Sequence, residues 1–147
     1  MALYKIVNGV RMQMTPQEEA DFEASRTPSL AAIKEALSTA VSAHRRVLEE
    51  GGITVGQRRI ATTREFRQQM RELRDWAQDN PGQQIPVRLA DGKVVRIGAA
   101  ALAAAAQAIA AHVRACIEAE AAHLDAIAAL PDVAAARAYD VTTGWPA

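Results

Sequence analysis

Cysteine is almost missing from this chain. Cys116 stands alone among 147 residues, which excludes an internal disulfide and fits a reducing compartment. Aromatic side chains are as scarce, six in all against 33 alanines, so a core has to come from small and aliphatic residues on helices. Net charge is absent too. Seventeen basic and seventeen acidic side chains cancel, which argues against a protein held to nucleic acid or anionic membrane mainly by net charge. The opening "ALYKIVNGV" shows no basic segment followed by an apolar one, so no secretory signal is expected. No repeat and no linker divides the chain, and its length suits one domain with a core of its own.

What the chain does have is a long uncharged run. Between Ile97 and Val113 there is no formal charge, inside the stretch "GAAALAAAAQAIAAHVRACIEAEAAHLDAIAAL". Alanine contributes little to bilayer insertion, and the run holds Gln107 and His112 before passing into Arg114, Glu118 and Glu120. The larger apolar residues Leu102, Ile109, Val113, Ile117, Leu124 and Ile127 repeat near 3.6, with Ala106 and Ala121 in the gaps. That spacing predicts a long soluble helix with a narrow seam. Its alanines allow a neighbouring helix to approach closely, within the chain or between chains.

Other elements follow from local chemistry. Asn8-Gly9 between apolar segments predicts a hairpin pairing Val7 with Val10, with Leu3, Val7, Val10, Met12 and Met14 on one face. Thr15 and Glu18 form a capping box around Pro16 and start a short acidic helix that fades by Arg26. Little in residues 1–27 could hold a core, so an arm is expected, mobile or docked on a partner, with fixed packing on the main body as the rival.

A helix from Pro28 to Glu50 carries Leu30, Ile33, Leu37, Val41, His44 and Leu48 on one stripe and stops at Gly51-Gly52. "ITVGQRRIATT" reads as a short hairpin. Thr62 with Glu65 is expected to cap the next helix, whose apolar face is Phe66, Met70, Leu73 and Ala77 with Trp76 at its edge. In "IPVRLADGKVVRIG", a three-residue loop Ala90-Asp91-Gly92 pairs Val87 with Val95 and Ile85 with Ile97, which gathers one apolar face. The long alanine helix breaks near Pro131, with one more short turn through Arg137. The expected fold is α+β and helix-rich: three main helices with two short β-hairpins, plus the N-terminal hairpin arm. Residues 1–27 form the arm, 28–130 the α+β domain and 131–147 the C-terminal tail.

Three constellations could carry function. Arg64, Arg67, Arg71 and Arg74 form a basic stripe beside the apolar face of their helix, suited to phosphate or an acidic partner. The simpler alternative is a solvated face whose stems cover the core edge. His112, Cys116, Glu120 and His123 share an arc of the long helix and are metal-ligand types, yet one helix supplies only two ligands of a tetrahedral site. Packing is the better expectation, and no metal or cofactor is assigned. Cys116 with His112 lacks a Gly-rich oxyanion loop and a third orienting residue, so no catalytic residue is assigned. Tyr139 and Trp145 in the polar tail could plug a groove on a partner or on the chain's own domain.

The segments "GGITVGQRRIATT", "VRLADGKVVRIGAAALAAAAQAIAAHVRACIEAEAAHLDAI" and "YDVTTGWP" resemble a domain of unknown function in small proteins encoded beside tail-fibre genes of tailed phages and prophages. The resemblance rests on Gly52 to Val55, Asp91-Gly92, His112, Val113, Ala115, Cys116, Glu120 and Gly144-Trp145-Pro146, and spans residues 28–147. "YKIVNGVRMQMTPQEEADFEA" is similar to the leader of phage tail-assembly and fibre-associated proteins. Two departures are an "IPVRL" strand without an aromatic residue and Ile117 where Phe often follows the helix cysteine.

The resemblance implies a non-enzymatic tail-associated protein that binds tail-fibre or tail components, as attachment piece or assembly factor. It would act in the host cytoplasm during assembly or in the virion tail. Candidate partner-binding residues are Arg64, Arg67, Arg71, Arg74, Tyr139 and Trp145, and a homo-oligomer is expected. The alternative is a small nucleic-acid-binding or regulatory protein using the Arg64–Arg74 face, disfavoured by the neutral total charge. No membrane association is expected.

Overall fold

The computed structural model describes residues 3–146. In chain order it holds β1 (Tyr4–Val7), β2 (Val10–Gln13), α1 (Pro16–Arg26), α2 (Leu30–Glu50), β3 (Ile53–Val55), β4 (Arg58–Ile60), α3 (Arg64–Asp79), β5 (Ile85–Arg88), β6 (Val94–Ile97), α4 (Ala99–Ala129) and α5 (Val133–Ala138). The fold is α+β and helix-rich. Three separate antiparallel hairpins, β1-β2, β3-β4 and β5-β6, accompany the helices.

Turn chemistry sets the hairpin registers. Asn8 and Gly9 both adopt positive φ, and Val7 pairs with Val10. In the third hairpin Ile85 faces Ile97 and Val87 faces Val95, while Leu89 N–H donates to Lys93 O at 2.7 Å. That closes the three-residue loop with Gly92 at φ 82°. A two-residue loop would have sent alternate side chains to the wrong face.

The core lies between α3, α4 and two of the hairpins. Ile60, Met70, Ala77, Ile85, Val87, Leu102, Ala105 and Ile109 are buried together. The other buried apolar residues, Val41, Cys116, Ile127 and Ala136, come from α2 and from α4 and α5, which both pack on it. α2 runs antiparallel to α4: Lys34 Nζ donates to Ala128 O at one end, and His112 Nε2 lies 3.0 Å from Leu48 O at the other.

Two expectations are corrected. Thr63, not Thr62, caps α3, accepting from Phe66 N–H at 3.3 Å. Thr62 is fully buried, and its Oγ1 accepts from Gly52 N–H at 2.9 Å, fastening the end of α2 to β4. The seam of α4 is also displaced. Its buried line passes through Cys116 and His123, while Ile117 and Leu124 stay 50% and 37% exposed. α2 packs along this line, and the tail covers His123 near its end.

The arm is ordered within itself. Thr15 and Glu18 make the reciprocal capping box, Lys5 pairs with Glu18, and Leu3 N–H donates to Glu19 Oε1 at 2.8 Å. Yet β1, β2 and α1 contain no buried residue.

Candidate interaction surfaces

The arginine stripe divides into two roles. Glu49, on the last turn of α2 and 8% exposed, receives both Arg67 from α3 and Arg45 from α2. Arg45 Nε lies 2.7 Å from Glu120 Oε2 on α4, a close ion pair that lacks hydrogen-bond geometry. Arg67, Glu49, Arg45 and Glu120 thus form an alternating chain of charge that ties three helices together. Arg67 has a structural task, because moving it would leave the buried Glu49 carboxylate with Arg45 alone, which Glu120 already shares.

Arg64, Arg71 and Arg74 remain at the surface, and Arg74 makes only the exposed contact with Asp75 at 3.0 Å. They rim a groove of about 550 Å³ between α3 and α4, floored by Met70, Ala106, Ile109, Ala110, Val113 and Ile117. Arg114 closes the far edge. Sequence reasoning missed it, although it is the first charge after the uncharged run and sits one turn from Ala110 and Ile117. A cationic rim over an apolar floor suits an amphipathic surface carrying acidic residues.

The tail docks on its own domain. Asp132 caps α5 by accepting from Ala135 N–H at 2.8 Å, and the chain then turns back to α4. His123 Nε2 faces Thr143 O at 2.8 Å and therefore donates; Nδ1 then accepts from the Tyr139 hydroxyl at 2.7 Å. Trp145 stacks on His123 at 5.0 Å and leans on His44 at 5.1 Å, while its Nε1–H donates to Val141 O at 2.8 Å. Burial raises the Tyr139 phenol above its usual value. Exposed Asp140 is held low by the Thr142 hydroxyl and amide. Tyr139 and Trp145 therefore spend their apolar surface inside the chain.

The arc of His112, Cys116, Glu120 and His123 is divided among unrelated tasks. His112 Nε2 donates to Leu48 O, so no lone pair on that nitrogen is aimed at the Cys116 thiol 3.7 Å away. Burial, only partly offset by Arg45, pushes the thiol pKa up, away from nucleophilic character. Glu120 is engaged by Arg45, and His123 by the tail. Among the described residues no group of three or more His, Cys, Asp or Glu side chains converges to hold a metal ion.

Comparison with known families matches residues 32–143 to Domain of unknown function (DUF4376). The chain belongs to this family. The matched stretch begins in the first turn of α2 and ends in the tail at Thr143, so it covers the arginine groove, His123 and Tyr139, and leaves out the arm and Trp145. No curated protein and no solved structure matches the chain.

Proposed function

We propose that this is a non-enzymatic phage or prophage tail-associated protein that binds a tail-fibre or tail component through its N-terminal arm. The phage setting is supported by the resemblance of the Gly52–Val55, Asp91-Gly92 and Gly144–Pro146 segments and of the arm itself. The binding role rests on one observation. The arm is internally ordered, yet it leaves Tyr4, Ile6, Val7, Val10, Met12 and Phe22 exposed. An ordered apolar surface of this kind gains free energy when a partner covers it. Its position outside the family-matched stretch fits an element that adapts a common domain to a particular partner.

The test compares the full chain with a variant carrying Ile6→Lys and Val10→Lys, each tagged and expressed in induced lysogens. Capture of a tail or fibre protein by the full chain, lost in a variant with an unchanged circular dichroism spectrum, is the expected result. Equal capture by both, or capture of no tail protein, overturns it. The nucleic-acid alternative draws on Arg64, Arg71, Arg74 and Arg114. It predicts duplex binding that falls steeply with salt, whereas the tail reading predicts none.

A further inference from the structure

α4 is uncovered to a degree its composition makes costly. It is long and apolar enough to cross a membrane by length and composition, and only 22% of its most apolar 18-residue window is buried. α2 and α3 cover its core side. Beside that side, about a quarter-turn round the helix from the buried line of Ile109 and Cys116, lies a second stripe centred on Ile117, itself half exposed. Steps of four, three and four residues from Ile117 reach Val113, Ala110 and Ala106 in one direction, and Ala121, Leu124 and Ala128 in the other. The spacing is a palindrome over about 33 Å of helix.

That symmetry specifies the occupant. An antiparallel second copy with its twofold axis at Ile117 sets Val113 against Ala121 and Ala110 against Leu124, a large residue facing a small one each time. The floor at Ala110 belongs to the α3–α4 groove, so the second copy's Leu124 enters that groove. Charge agrees with shape. Arg114 and Glu118 lie on one edge of the stripe, 78% and 63% exposed, and are joined only by a local contact of 3.3 Å. In antiparallel pairing like edges meet, so Arg114 of each copy faces Glu118 of the other, twice by symmetry. The same charges, with Asp125 about two turns beyond Glu118, oppose burial of this face in lipid.

We propose that the chain forms a twofold dimer by antiparallel pairing of α4 about Ile117. The proposal is independent of the tail reading. Sedimentation equilibrium of the full chain should give a dimer. Ile117→Glu, which sets two carboxylates together on the axis, should raise the dimer dissociation constant at least about 100-fold with helical content retained. Arg114→Glu and Glu118→Arg should each weaken the dimer about tenfold, and the double reversal should restore it. A wild-type chain that is monomeric at about 200 µM overturns the proposal. So does a dimer indifferent to these substitutions, or sedimentation with phospholipid vesicles that Ile117→Glu abolishes.

Discussion

Trp145→Ala puts the docked tail to a quantitative test. In the folded chain the indole stacks on His123, leans on His44 and holds Val141 O through its N–H. Truncating a fully buried tryptophan costs about 3–5 kcal/mol. Trp145 is half-buried, which roughly halves the transfer contribution, and the lost aromatic contacts restore about 1 kcal/mol. The expected loss is therefore about 2.5–3.5 kcal/mol, a fall in Tm of about 5–14 °C for a chain of this size. Thermal melting followed by circular dichroism at matched protein concentration measures it.

The second tryptophan supplies the control. Trp76 is 47% exposed at the edge of α3 and stacks on no other ring, so Trp76→Ala should cost about 1.5–2 kcal/mol, clearly less than Trp145→Ala. A Trp145→Ala protein melting with wild type, or a Trp76→Ala protein falling just as far, would refute the assignment of the tail to the folded core.

Further outcomes follow from single contacts. Glu49→Gln removes the charge shared by Arg45 and Arg67 and should cost about 2–4 kcal/mol in denaturant unfolding, whereas Glu118→Gln on the surface should cost under about 0.5 kcal/mol. Gly52→Ala should destabilise by more than about 1 kcal/mol, because φ is 82° and a Cβ would meet Ile60 O at 2.9 Å. Gly56→Ala, also at positive φ but in open space, should cost less. Burial raises the folded-state pKa of both Cys116 and Tyr139, so the folded chain holds these protons more tightly than the unfolded one. Their contribution is complete below the ordinary thiol value of 9.0 and is lost as pH rises above it. Tm should fall above pH 9 in wild type and less steeply in Cys116→Ser.

Elements governed by local chemistry were legible in the residues. Asn8-Gly9, Gly92 and the Thr15–Glu18 box have few alternative geometries, and the structure has all three. What was not legible depends on distant segments meeting. Thr62 and Thr63 are equivalent as helix caps until Gly52 arrives to occupy one of them. The seam of α4 could not be placed from periodicity, because alanine is nearly neutral between core and surface and the packing of α2, α3 and the tail decides the face. Arg67 looked like its three neighbours until Glu49, eighteen positions earlier, was brought beside it. Trp145 signalled a groove, but nothing local to it named His123 as the floor.

The proposed association with a tail component can be checked by following this chain through assembly. Induced cells are fractionated over time, and quantitative mass spectrometry measures the chain against tail and fibre proteins in intermediates and finished particles. A constant ratio to one tail or fibre protein, in at least the intermediates, is the expected result. A chain found only in the free soluble pool at every time point would contradict it.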